Sequence, residues 1–181
     1  MSTPTATISG AYVADPIHSS VGFAVKYMGV STFRGTFDSV SARLDGRSDG
    51  VTLIGAAEVD SISIRTPEQF RGHVLGEDFL AAEAHPQITF TSSDVVLDED
   101  GAATVRGDLT IKGATRPVAA QGAWSPPADD PTGKTRAHLA LEATVKRRDY
   151  GITWDVSLPS GGSALADEVT ITVELALVAE D

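Results

Sequence analysis

Apolar residues alternate with polar or small ones along most of this chain. Val21, Phe23, Val25 and Tyr27 fall on one face of an extended segment, and Ser20, Gly22, Ala24 and Lys26 on the other. A period of two marks a half-buried strand. Phe33 and Phe37 share a face in the next segment, and a phase change near Asp38-Ser39 is needed to bring Val40, Ala42 and Leu44 onto it, which predicts a bulge. Val51 to Ile64 reads as one long or broken strand. Later, Val95-Val96-Leu97 leads into the hairpin loop Asp98-Glu99-Asp100-Gly101, and Ala103 to Ile111 returns from it. Lys112-Gly113 predicts another tight turn before Arg116 to Trp124. Ser125 to Gly133, with Pro126, Pro127 and Pro131, is expected to be a loop without regular structure. Strict alternation resumes at Ala137, Leu139, Leu141, Ala143 and Val145, and again at Val169, Ile171, Val173, Leu175 and Leu177.

The stretch Ser61 to Ser92 interrupts this rhythm. Thr66-Pro67-Glu68-Gln69 predicts a helix start, with Thr66 as N-cap, Pro67 in the first helical position and Gln69 completing a capping box. Phe70 and Val74 then share a helical face with Leu75 beside them, Gly76 is a stop, and Asp78 is placed to cap a further turn through Ala82. Ile88, Phe90 and Ser92 alternate again. One short helix between strands, apolar on one side, is a candidate lid.

Seven to nine strands at hairpin spacing argue an antiparallel barrel or sandwich. The barrel is favoured because the last strand is long and apolar on one face, and would otherwise be a bare edge. The fold expected is all-β: an extended antiparallel lipocalin-like β-barrel of about eight strands with one helical insertion near residues 67–82. No shift of composition divides residues 1–181, so one domain is expected, with residues 1–10 a flexible tail that has at most a short strand near Ile8.

The net charge of −11 argues against nucleic-acid backbones and anionic membranes as partners. No cysteine is present, which excludes disulfides, thiolate catalysis and cysteine-ligated metals. His18, His73, His85 and His138 are scattered, with no pair at metal-ligand spacing, so no metal and no cofactor is expected. No apolar run approaches the roughly 20 residues of a membrane-spanning helix, and no secretory signal is visible, so a cytoplasmic location is expected.

Several short motifs follow one another in order. Asp15-Pro16-Ile17-His18-Ser19 opens the series, with Phe23, Gly29, Gly35 and Phe37 after it. Ser63-Ile64-Arg65-Thr66 precedes the helix, His73, Asp78 and Phe79 lie in and after it, and His85 to Phe90 follows. Gly107 to Val118 and Arg147-Arg148-Asp149-Tyr150-Gly151 complete the set. Together these resemble the YceI family of polyisoprenoid-binding, lipocalin-like proteins, over Asp15 to about Leu177. The chain departs from the family pattern at Phe70 and Arg71, where Arg and Asp are usual, at Leu75, where an Arg is usual, and at Tyr27, where a His is common.

The resemblance implies a barrel whose interior holds a polyisoprenoid or the tail of an isoprenoid quinone, for binding, storage or transport and without catalysis. Its partner is then a small-molecule lipid, with a homodimer as a secondary expectation. Relatives are often exported. Wall candidates are Phe23, Phe37, Phe90, Ile152 and Trp154. Phe70, Val74, Leu75 and Phe79 are candidates for the mouth, His73 is placed to meet a headgroup, and Tyr27 joins the ligand-binding set. Plain packing is the alternative role for each. Asp15, His18 and Ser19 suit a turn held by side-chain hydrogen bonds, and Arg147 with Asp149 suits an internal ion pair. Two other functions are compatible with the same barrel. A barrel isomerase or hydrolase would need His73 or His18 beside a carboxylate in the cavity, and a stress-response module acting through protein contacts would show a solid core and a broad apolar patch.

Overall fold

The computed structural model describes residues 5–181. Its strands are β1 (Gly10–Ala14), β2 (Ser20–Tyr27), β3 (Ser31–Phe37), β4 (Val40–Arg47), β5 (Gly50–Glu58), β6 (Gln87–Leu97), β7 (Ala102–Ile111), β8 (Ala114–Asp129), β9 (Thr135–Lys146) and β10 (Leu165–Ala179), with one helix, α1 (Glu68–Leu75), between β5 and β6. All ten belong to one antiparallel sheet, which closes on itself as an eight-stave barrel.

Ten strands make eight staves because two staves are broken. β1 pairs with β10 through Tyr12↔Ala179 and Ala14↔Leu177, and β2 continues along the same edge from Ser20↔Glu174 to Tyr27↔Leu165. On the other side β4 pairs with β1, and β3 with β2. The second break falls at Asp38-Ser39, where the sequence requires a change of phase. Both edges of β10 are therefore covered, by β9 and by the β1/β2 stave.

Serine hydroxyls mend the ladder where it is interrupted. At the first break Ile17 N–H donates to Asp15 Oδ1 (2.9 Å), and Ala176 N–H donates to Ser19 Oγ (3.0 Å). At the second, Thr36 N–H donates to Ser63 Oγ (2.9 Å) and Ser39 N–H to Ser61 Oγ (3.0 Å). Beside the irregularity between Ser92 and Asp94, Leu53 N–H donates to Ser92 Oγ (2.8 Å). Backbone groups of a strand seek a partner, and each hydroxyl supplies one to an N–H beside an interruption. Ser19 and Ser63 are thus structural members of the motifs that contain them.

Four expectations are corrected. Residues 1–4 of the expected tail lie outside the described ones. After them, Ala6 N–H donates to Leu97 O (2.6 Å), Thr5 bridges to Asp98 and Ile8 is buried in the core. Ile8 crosses directly over Gly46, where a Cβ would stand 2.1 Å from Ile8 O, so a side-chain-free position on β4 admits the segment. The helix begins one residue later than expected. Pro67 is its N-cap with ψ 154°, outside helical geometry, and no side chain caps the end, so neither the Thr66 cap nor the capping box forms. Ser125 to Asp129 is not loop but the end of β8. The register shifts between Ser125 and Ala128, and the two prolines sit in that bulge, where the ladder asks for no N–H donor. Arg147 does not pair with Asp149 but spends its donors on backbone carbonyls, as described below.

The barrel interior is unevenly filled. At one end Tyr12, Leu44, Leu97, Leu139, Leu177 and Trp124 pack into a solid cluster, and Trp124 Nε1 donates to Asp98 O (2.9 Å). Two smaller clusters lie toward the other end, one around Phe37, Ile62 and Val74, the other around Leu109, Ile111, Tyr150 and Ile152. Between these two lies a cavity.

Candidate functional site

The cavity measures about 540 Å³, within the range of small-molecule sites. Its walls are the inward rows of the strands. β2 supplies Val21, Phe23, Val25 and Tyr27, and β10 supplies Val169, Ile171, Val173 and Leu175. Because side chains alternate across a strand, the apolar row read from the sequence is the row facing this space. Helix α1 and the segment 150–154 form the rim.

All ten residues singled out for the ligand line the cavity. Phe23, Tyr27, Phe37 and Phe90 come from strands, Phe70, His73 and Val74 from α1, and Phe79, Ile152 and Trp154 from the connecting segments. Leu75 packs against the Phe37 cluster but is not among the lining residues. Tyr27 and Phe70 are 46% and 43% exposed while also lining the cavity, which places them at its mouth. Sequence reasoning missed Phe33, Leu80, Tyr150 and Arg147. Phe33 carries the same inward phase as Phe37 and was within reach of the argument. Arg147 carried no such signal, since an arginine on an apolar wall is recognised only from its partners.

The aromatic rings form two groups. Phe23 lies 5.9 Å from Phe37 and 6.0 Å from Phe33, and Phe33 meets Phe70 edge-on at 5.8 Å, giving a run of rings from the wall up to the helix. Across the rim His73, Phe79 and Trp154 make a mutual cluster with centroid separations of 5.0 to 5.4 Å. Offset and edge-on pairs of this kind add stabilisation beyond burial.

Three cations bind the rim together through backbone carbonyls. Arg71 donates to Asp60 O (2.6 Å), Ile62 O (3.2 Å) and Ile64 O (2.8 Å), tying α1 to the segment that flanks β3. Lys112 Nζ donates to Glu77 O and to Gly151 O, joining the turn between β7 and β8 to both rim segments. Arg147 is buried in the wall and donates to Ala166 O (2.9 Å), Ile152 O (2.8 Å), Trp154 O (2.8 Å) and Leu165 O (3.0 Å). Burial, with Arg148 nearby, pushes the Arg147 guanidinium below its usual range. Burial likewise raises the Tyr150 hydroxyl, with help from Asp149.

The titratable pair at the mouth is His73 Nε2 with Asp78 Oδ2, 3.1 Å apart and partly exposed. The turn after α1 is closed by backbone bonds such as Leu80 N–H to Val74 O, and Asp78 turns its carboxylate to His73 instead of capping that turn. His18 lies elsewhere, held by Asp15 in the break of the first stave. Among the described residues no cluster of three or more His, Cys, Asp or Glu is arranged to hold a metal ion, and no helix is long and apolar enough to cross a membrane.

Comparison with known proteins gives one consistent family. The model of the YceI-like domain matches residues 12–177. A UPF0312 protein of Pectobacterium atrosepticum is 32% identical over 161 residues, covering 87% of this chain and 80% of that protein. Among solved structures, BcnA of Burkholderia cenocepacia superposes with a TM-score of 0.70 at 25% identity, covering 92% of this chain and 99% of BcnA. A polyisoprenoid binding domain from Saccharophagus degradans, implicated in plant cell wall breakdown, superposes with a TM-score of 0.68 at 13% identity, over 96% of this chain and all of that one, a likeness of fold alone.

Proposed function

The chain belongs to the YceI-like family, and from that premise we propose that its barrel binds a polyisoprenoid or isoprenoid quinone and holds it without chemical change, as a store or carrier. The cavity of about 540 Å³, with aromatic and aliphatic walls, is the observation that carries this reading. Each methylene moved from water into such a space is favoured by about 0.8 kcal/mol before the cost of immobilisation. The polar atoms of Arg147 are spent on the backbone, so the wall exposes little that would demand a polar ligand. The structural likeness to a polyisoprenoid binding domain supports the same ligand class.

A second reading rests on the His73–Asp78 pair, which places a carboxylate beside a cavity-lining histidine. An enzyme on this barrel would use it as a general base for an apolar substrate. One experiment separates the two. The natively purified protein is extracted with organic solvent and analysed by mass spectrometry, before and after hours of incubation with an added prenyl lipid. Stoichiometric lipid returned unaltered supports the carrier. Lipid consumed by the native protein but not by His73→Gln supports the enzyme, and absence of any bound lipid rejects the carrier.

A further inference from the structure

The barrel's two ends differ in a way that sets the size of the guest. On β10 the inward residues Val169, Ile171, Val173 and Leu175 line the cavity, whereas Leu177, next in the same row, is packed in the solid cluster. On β9 the change comes between Leu141, which lines it, and Leu139, which does not. β7 changes between Val105 and Ala103. On β9 and β10 the change falls at neighbouring positions, since Val173 pairs with Leu141 and Leu175 with Leu139. Leu53, Val105, Leu141 and Leu175 both line the cavity and belong to the solid cluster, so they form a floor. Beneath them Trp124 is pinned by its bond to Asp98 O and cannot swing aside to lengthen the space without losing it.

Volume and depth agree on what fits above that floor. An apolar cavity of about 150 Å³ takes one benzene, or about 25 Å³ per carbon. On that scale the 540 Å³ here holds about 20 carbons when filled. Leu175 at the floor lies ten positions along β10 from Leu165 at the rim. With a rise of about 3.3 Å per residue and a tilt of about 40°, the depth is about 25 Å. The mean cross-section is then about 20 Å², the width of one aliphatic chain at that packing.

We propose that the cavity is a ruler for a single apolar chain of about 15–20 carbons, three to four isoprene units, with Leu53, Val105, Leu141 and Leu175 as its stop. The proposal rests on the lipid-carrier reading and adds ligand size to it. A longer chain gains nothing past the floor, and its remainder projects through the mouth beside Phe70 and Tyr27. A two-chain lipid has no room for its second chain.

The test is a titration of the delipidated full chain with linear prenyl alcohols of 10, 15, 20, 30 and 45 carbons, and with dioleoylphosphatidylcholine. The expected result is an affinity that rises roughly tenfold or more per isoprene unit up to 15–20 carbons and then stays within about threefold, with the two-chain lipid gaining nothing from its second chain. Ala120→Leu adds atoms to the wall near the floor and brings the onset of the plateau to a chain about one unit shorter. Leu141→Ala lowers the floor and moves that onset to a longer chain, and the Ala120 variant keeps the test sound if Leu141→Ala fails to fold. Affinity that still climbs from 20 to 45 carbons, or a plateau that Ala120→Leu leaves in place, overturns the ruler and leaves the carrier standing. Failure of every prenyl alcohol to bind overturns both.

Discussion

The His73 imidazole stands edge-on to the Trp154 indole, with centroids 5.4 Å apart and ring planes at 83°. This contact puts one of the chain's two tryptophans on the cavity rim, while the other, Trp124, is sealed in the solid end. A guest entering the cavity therefore displaces water from Trp154 alone. Tryptophan emission should shift to the blue on addition of a prenyl lipid, the shift should persist in Trp124→Phe, and it should vanish in Trp154→Phe. An equal response from both variants would place the guest elsewhere.

Arg147 should behave as a structural arginine that also shapes the site. Its four carbonyl partners include Ile152 and Trp154, so it fixes the rim segment against β10. Lysine offers a point charge in place of a planar fork and leaves some of these carbonyls unpaired. Arg147→Lys is expected to cost about 2–3 kcal/mol, a fall in Tm of roughly 5–10 °C for a chain of this size, read by thermal denaturation. Weaker lipid binding should accompany it.

The acid limb of the stability curve should trace to Asp15 and Asp130. Asp15 is held well below the usual carboxylate range by His18, by Ile17 N–H and by Arg136, and Asp130 by Thr132 and by the same Arg136. In the unfolded chain both titrate near pH 4, so between that value and their folded ones the unfolded state binds more protons and stability rises with pH. The contribution is complete above about pH 5 and declines progressively as the pH falls from about 4 toward the depressed folded values. Asp15→Asn and Asp130→Asn should each flatten this limb in urea denaturation at pH 2–6. Unchanged slopes would remove the cluster from the account.

Two glycines separate binding from folding. At Gly35 a Cβ would lie 2.5 Å from Phe23 Cζ, so alanine there pushes the Phe23 ring within the cavity. Gly35→Ala should weaken lipid binding about tenfold for about 1 kcal/mol of stability. At Gly122 a Cβ would lie 1.8 Å from Ala140 O, a backbone atom that cannot yield within a paired strand. Gly122→Ala should cost more than about 3 kcal/mol or prevent folding, and soluble yield with thermal denaturation distinguishes the two variants.

The barrel was legible because a wall with one face inward repeats every second residue, as at Val169 to Leu177. Phe23, Phe37 and Phe90 could be placed in the cavity for the same reason, with the motifs supplying the order. What alternation does not carry is height along the barrel. Leu139 and Leu141 are equivalent in the pattern, yet one is in the solid end and the other faces the cavity. Pro126-Pro127 reads as a break in any local view, and only the pairing of β8 with β9 shows it to be a bulge. The bonds of Arg147 join residues up to 19 apart in sequence, beyond the reach of any spacing rule.

The floor across the barrel means that β9 and β10 each run through two environments, a finished core and a space that a guest would finish. A bound chain would thus serve as core for the upper half and stabilise it by mass action, by about 2.7 kcal/mol at a hundredfold excess over Kd. Backbone amides near Leu165 and Val145 would slow their exchange on loading, while those near Leu177 and Leu139, already within packed structure, would not. Loading would then slow proteolytic attack on the upper half while leaving the solid end unchanged.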